Sequence, residues 1–422
     1  MFFLGYRLSL STLWPVCSFA GGFSSPVVPT IVQCGGPHFV VAPWPMAGSR
    51  KRVVALLFGG RSAEHEISLR SAATVLASLD RSRFEPVLLG IDRSGRWHVI
   101  AESHFHALLR EPLPAVPEEG ETTAIVPGAS PLRFLSADTG NAATPEIDVV
   151  FPVLHGSFGE DGTVQGFLEL LDVPYVGAGV LGSAVGMDKD VQKRLLREAG
   201  LPIVPFLAVR EWEWCRDRTS ILHRASALHF PVFVKPARLG SSVGVNKVHQ
   251  PSSLLRALEA AFEYDEKVLI EQGVRGREIE CAVLGGGSEL RASLPGEIRP
   301  RSEFYSYAAK YLDDNGAELL APAPLDEETA RRVRQLAIMA FQVLECFGMG
   351  RVDFFLDPAT GDIFVNEINT IPGFTSVSMY PRLWQLSGIA LPELVGKLLE
   401  LAMERHRTLN AKKRIPSELR SE

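Results

Sequence analysis

Unbroken apolar runs alternate with helical periodicity over the first half of the chain. Residues 53–58 (VVALLF) form a continuous apolar run, the pattern of a strand buried on both faces. Gly59-Gly60 follow, then Arg61-Ser62-Ala63-Glu64-His65-Glu66, leading into a helix with Ile67, Leu69, Ala72, Val75, Leu76 and Leu79 at helical spacing. A Gly pair between strand and helix brings a ligand close to backbone N–H groups, although a tight turn is its commoner use. Residues 84–91 and 147–154 predict further strands, and 101–144, rich in Pro, Gly and Glu, reads as an insertion of short strands or loops. The strand at 147–154 runs into His155-Gly156-Ser157-Phe158-Gly159-Glu160-Asp161-Gly162, so a second candidate loop also follows a strand, where open α/β sheets bind ligands. Met187-Asp188-Lys189 then opens a helix with Val191, Leu195, Leu196 and Ala199 inward, stopped by Gly200 and Pro202. This βαβ order predicts a doubly wound domain.

From Pro205 the pattern changes to strands in antiparallel-looking groups. Residues 231–236 (PVFVKP) embed Lys235 in a short apolar strand, where a buried ammonium needs a partner and a nucleotide phosphate is an obvious one. Arg238-Leu239-Gly240-Ser241-Ser242-Val243-Gly244-Val245 follows, a loop able to fold over phosphates with N–H groups and hydroxyls. Residues 267–272 (KVLIEQ) form a strand whose end, with Glu278 beyond it, is placed to meet a base and a ribose. Residues 304–311 (FYSYAAKY) read as a loop that closes over a site. Asp326 caps a long helix with Val333, Leu336, Ala340, Val343 and Phe347 on one stripe and Gly348 at its end. An amphipathic helix at 391–403 and a charged tail finish the chain.

The densest chemistry lies at 350–373, GRVDFFLDPATGDIFVNEINTIPG. Two apolar runs flank Asp357-Pro358-Ala359-Thr360-Gly361-Asp362, which predicts a β-hairpin. Glu367 and Asn369 face the same way on one strand, and Asp353 joins them if the register allows. Such hard oxygen donors suit Mg2+ bound together with nucleotide phosphates. Charges in otherwise apolar strands rarely go uncompensated.

Composition narrows the partners. At 422 residues two or three domains or subdomains are expected. A net charge of -6 argues against nucleic acid as the main partner, and no apolar run is long enough to predict a membrane-spanning helix. The five cysteines form no CxxC, so a disulfide scaffold or zinc site is not expected. Residues 1–45 carry almost no charge and their apolar part is interrupted; Met46 is read as the true start, with 1–45 a misassigned leader or a disordered extension.

The segments LFGGRSAEHEIS, HGSFGEDGTVQG, MDKD, VKPARLGSSVG, LIEQGVRGRE, YAAKY and GRVDFF with VNEINTIPGFTS together resemble the D-alanine–D-alanine ligases of the ATP-grasp superfamily. The resemblance runs from Lys51 to about Glu404. It implies α/β and α+β architecture: a Rossmann-like domain at 46–185, then an ATP-grasp domain at 186–404, divided near 275/276 into a nucleotide subdomain and a C-terminal subdomain, and a charged tail at 405–422. It also implies roles. Lys189, Lys235 and Lys310 would hold ATP phosphates, covered by Ser241, Ser242 and their loop. Glu271, Gln272 and Val274 would line the adenine, with Glu278 on the ribose. Asp353, Glu367 and Asn369 would hold two Mg2+ (or Mn2+) ions. Glu64 would bind the ammonium of the first D-alanine in a hydrogen-bonded set with Ser241 and Tyr311, and His155 would lie near that alanine's carboxylate. Arg351 and the Gly373 N–H would stabilise the tetrahedral oxyanion, while Ser378 and Met379 would contact the second D-alanine.

The implied reaction is ATP-dependent ligation of two D-alanines through a D-alanyl phosphate, in a cytoplasmic homodimer that serves peptidoglycan synthesis. Two relatives compete with it: a ligase that takes D-lactate or D-serine as second substrate, and a non-catalytic ATP-binding relative. Tyr311 after Ala308-Ala309-Lys310 favours the dipeptide ligase, although Ala308 stands where the family commonly has an acid. Glu64, Tyr311 and Arg351, which a non-catalytic relative would be expected to lose, are all present.

Overall fold

The structure, a computed structural model, describes residues 50–128, 132–301 and 316–412. The expectations for 1–45, for the loop carrying Ala308, Lys310 and Tyr311, and for the end of the tail lie outside the described residues.

The first sheet contains β1 (Arg52–Gly59), β2 (Phe84–Ile91), β3 (Trp97–Ile100) and β6 (Val149–Pro152), in the order β3-β2-β1-β6; the hairpin of β4 (Thr123–Ile125) and β5 (Phe134–Ser136) stands apart from it. Strand β1 runs parallel to both β2 and β6, and β3 closes one edge antiparallel to β2. The apolar run of β1 is buried on both faces, as its composition predicts. Val54, Leu56 and Phe58 pack with the helix His65–Ser78, while Val53, Ala55 and Leu57 pack with Val164 and Leu168 of the helix Thr163–Leu170. The insertion differs from expectation in holding a helix, Glu102–Leu108. Its Phe105 ring lies 4.7 Å from that of Phe58, and this apolar anchor ties an otherwise polar stretch to the sheet.

The second sheet joins β7 (Phe206–Arg210), β8 (Val232–Pro236), β9 (Asn246–Val248) and β10 (Lys267–Gln272) in the order β7-β10-β8-β9, all antiparallel. Val232, Val234, Val268 and Ile270 pack with the helices Arg218–Ala225 and Leu254–Phe262. Strand alternation therefore leaves Phe233, Lys235, Leu269 and Glu271 on the opposite face.

The third sheet comprises β11 (Arg277–Gly285), β12 (Arg291–Ala292), β13 (Gly296–Pro300), β14 (Ala317–Leu320), β15 (Gly348–Leu356) and β16 (Ile363–Asn369), ordered β14-β13-β11-β15-β16 with β12 paired to β11. Ile279, Cys281, Val352, Phe354 and Val365 bury one face against Val333, Ala337 and Phe341 of the helix Glu327–Val343. Asp326 caps that helix by accepting from the Thr329 N–H at 2.9 Å. The helix stops before Phe347, where Glu345 takes a left-handed φ of 54°.

Two expectations are corrected. The helix Lys189–Glu198 buries Asp190, Gln192, Lys193 and Leu196, whereas Leu195 and Ala199 are exposed. Its inward face is polar because its neighbours supply carboxylates and carbonyls. The C-terminal helix extends to Lys412, beyond Met403, and returns to the first sheet: Leu394, Val395 and Leu398 share a core with Val54, Leu56 and Val149. The sequence boundaries near 185 and 404 are thus bridged by packing.

Candidate functional site

The hairpin of β15 and β16 forms one wall. Its register sets Asp353 opposite Glu367 and Arg351 opposite Asn369, with a bulge between Asp353 and Phe354. The Asn369 amide donates to Asp353 Oδ2 at 2.9 Å. The Arg351 guanidinium donates to both Asp353 oxygens at 2.7 Å and lies 3.2 Å from Glu280. Glu367 sits 3.3 Å from the Lys189 ammonium, which also donates to the Leu239 carbonyl at 2.8 Å. Lys189 thereby links the hairpin to the Ser241 loop.

Among the described residues, no group of three or more His, Cys, Asp or Glu side chains is arranged as a metal cage. The arrangement is two facing carboxylates and an amide. That donor set fits a hard cation that takes few protein carboxylates and shares phosphate oxygens, as Mg2+ does.

The facing wall is a buried triad. Glu271, 3% exposed, takes the Lys193 ammonium at 2.9 Å on one oxygen and the Lys235 ammonium on the other. Lys193, with no exposed side-chain surface, also donates to the Asn366 carbonyl of β16 at 3.1 Å. Burial opposes the Glu271 charge, but the two ammonium groups outweigh it and hold the carboxyl below its ordinary value. Burial pushes the Lys193 ammonium down. The Glu271 carboxylate is thus committed to the two lysines. The partner of Lys235 inside the protein is this same carboxylate. Gln272 accepts from the His229 N–H at 3.2 Å and gives its own N–H to Pro205 O. Val274 lies in the loop to β11, and Glu278 is half-buried near the start of that strand.

The first sheet contributes the third wall. Glu64, just before the helix His65–Ser78, accepts a hydrogen bond from the Ser241 hydroxyl. Ser241 and Ser242 both hold left-handed φ values, 51° and 60°, so the loop that meets Glu64 is strained. A Cβ on Gly156 would stand 2.6 Å from the Glu64 carboxylate, and its φ is 73°, so only glycine suits this approach.

His155 is buried. Its Nδ1–H donates to Ile371 O at 3.1 Å, and Nε2 accepts from the Ser71 hydroxyl at 2.9 Å. Burial holds this imidazole below its ordinary pKa, which agrees with a neutral ring. Glu160 is half-buried, and desolvation, followed by repulsion from Glu64, pushes its carboxyl up to about 8.

Gly373 lies beside Ser378: a Cβ there would meet the Ser378 hydroxyl at 2.7 Å, and this hydroxyl accepts from the Thr375 N–H at 3.0 Å. Met379 follows at the start of the next helix. It is 3% exposed and packs in the core with Tyr380 and Leu383.

The structure thus brings Glu64, Ser241, Lys189 and Glu367 into one linked set, and Arg351, Asp353 and Asn369 into another on the same hairpin. Sequence reasoning missed Lys193, Glu160 and Ser71. Glu160 stood inside a quoted segment, whereas Lys193 resembled an ordinary solvent-facing lysine.

Two family profiles match: "D-ala D-ala ligase N-terminus" over residues 53–178 and "D-ala D-ala ligase C-terminus" over 195–400. The chain is 51% identical to a D-alanine–D-alanine ligase A of Chromobacterium violaceum over 358 residues, 84% of this chain and 96% of the relative. It is 48% identical to the ligase A of Salmonella typhimurium over 361 residues, 85% of this chain and 98% of the relative. A solved D-alanine–D-alanine ligase from Coxiella burnetii superposes with a TM-score of 0.74 at 37% identity, covering 86% of this chain and 97% of that one. The VanG D-Ala:D-Ser ligase from Enterococcus faecalis gives 0.73 at 34% identity, covering 84% of this chain and all (100%) of that one.

Proposed function

The chain belongs to the D-alanine–D-alanine ligase family, and from that premise we propose how its residues carry out the reaction. The enzyme joins two D-alanines with ATP, a step of peptidoglycan synthesis, on an ATP-grasp fold. A carboxylate is a poor electrophile, so one oxygen of the first D-alanine takes the γ-phosphoryl group and ADP leaves. The amine of the second D-alanine then attacks the acyl carbon, loses a proton and expels phosphate.

In this reading Lys189, Lys235 and Lys310 hold the phosphates, and Ser241 and Ser242 cover them. Glu271 positions Lys235, the Gln272–Val274 main chain meets the base, and Glu278 takes the ribose. Asp353, Glu367 and Asn369 hold Mg2+ or Mn2+, two ions, which neutralise phosphate charge when bound. Glu64 receives the ammonium of the first D-alanine, with Ser241 and Tyr311 around it, and His155 faces its carboxylate. Arg351 and the Gly373 N–H steady the oxyanion of the second step. Ser378 and the Met379 main chain receive the second D-alanine. The reading extends to a cytoplasmic homodimer, as the family resemblance implies.

The supporting observation is the meeting of three parts at one place: the Glu64–Ser241 contact, the lysine–Glu271 triad and the Asp353–Glu367 pair. Phosphate release from ATP should depend on added D-alanine, and D-alanyl-D-alanine should accumulate in equal amount. Phosphate release indifferent to D-alanine would defeat the assignment.

A further inference from the structure

We propose that Glu160 is a positioning residue whose carboxyl group clamps two loops together and thereby fixes the Gly373 N–H at the reaction centre. The inference rests on the proposed oxyanion role of Gly373.

One carboxylate oxygen, Oε2, accepts from the Gly156 N–H at 2.7 Å, in the loop that also carries His155. The other, Oε1, accepts from the Ile371 N–H at 3.0 Å, on the far side of the cleft. A second clamp lies just beyond. Ser71 Oγ accepts from the Phe374 N–H at 3.2 Å and donates to His155 Nε2, while His155 Nδ1–H donates to Ile371 O. Ile371 and Phe374 bracket Pro372-Gly373. Pro372 has a fixed φ and no N–H, so the chain between the clamps has little freedom. Gly373 is held from both sides by groups of the first sheet's domain, although it belongs to the loop after β16.

The clamp also explains why an acid sits in this half-buried place. Glu64 repels it and Arg351 of β15 attracts it. Each of the two N–H groups meets its own carboxyl oxygen, whereas an amide offers a single oxygen. A displacement of about 1 Å at a reacting group costs on the order of a hundredfold in rate.

The test compares Glu160→Gln and Ser71→Ala with wild type, measuring kcat, the KM for ATP and the KM for D-alanine, together with thermal unfolding. Glu160→Gln should lower kcat by about ten- to a hundredfold and raise the KM for the first D-alanine, with the KM for ATP unchanged. Ser71→Ala removes the Phe374 bond and the hydroxyl on His155 but leaves the Glu160 bonds, so it should lower kcat by less, raise the KM for D-alanine by less and leave the KM for ATP in place. The double variant should fall short of the product of the two effects, because both act on one loop. A folded Glu160→Gln enzyme with wild-type kcat would overturn the clamp. So would a loss of kcat matched by equal weakening of ATP binding, the mark of general disorder. If Glu160→Gln does not fold, an unaltered kcat in Ser71→Ala overturns the proposal. A wild-type protein without D-alanine-dependent phosphate release defeats the underlying reading, and the clamp with it.

Discussion

Glu367→Gln should lose turnover by on the order of a thousandfold while the protein stays folded. The substitution keeps the shape of the side chain and removes one negative charge. Glu367 faces Asp353 across the hairpin, and Lys189 lies 3.3 Å away. Removing the charge halves the carboxylate content of the proposed metal site and strips Lys189 of its acidic partner. The side chain is 26% exposed, so little desolvation energy is at stake and the fold should survive. Steady-state turnover at saturating Mg2+ and D-alanine checks this, with circular dichroism as control. Turnover near the wild-type value would remove Glu367 from the metal set.

Glu271→Leu should destabilise the protein by about 3–5 kcal/mol. Glu271 is the shared acid for Lys193 and Lys235, and it and Lys193 are buried. Without it the two ammonium groups lose their shared counter-charge, leaving Lys193 the Asn366 carbonyl and the more distant attraction of Glu367. The midpoint of denaturant unfolding reports the effect. Adding Lys193→Met should recover part of the loss, because a buried apolar side chain needs no counter-charge. An unchanged midpoint in Glu271→Leu would mean that the triad contributes nothing to folding.

Much of this architecture was legible in the sequence. The β1 run announced a strand buried on both faces, and the Pro-Gly turn between two apolar runs announced the β15–β16 hairpin together with its acids. These signals are local, arising from periodicity and turn chemistry. What was not legible depends on distant segments. Lys193 looks like a surface lysine until Glu271, far along the chain, is folded against it. Leu195 looked inward by helical spacing, but the cleft beside that helix is polar and buries Gln192 and Lys193 instead. Position along the chain said nothing of the two lysines that the Glu271 side chain holds. The return of the last helix to the first sheet leaves no mark in its own sequence beyond an ordinary amphipathic stripe.

The central claim is that the first carboxylate is activated by phosphoryl transfer before the amine attacks. It is tested most directly with D-alanine labelled with oxygen-18 in its carboxylate and unlabelled ATP. If the account holds, each dipeptide formed should deliver one labelled oxygen to inorganic phosphate, with ADP as the other product. Unlabelled phosphate, or label appearing in AMP, would contradict it.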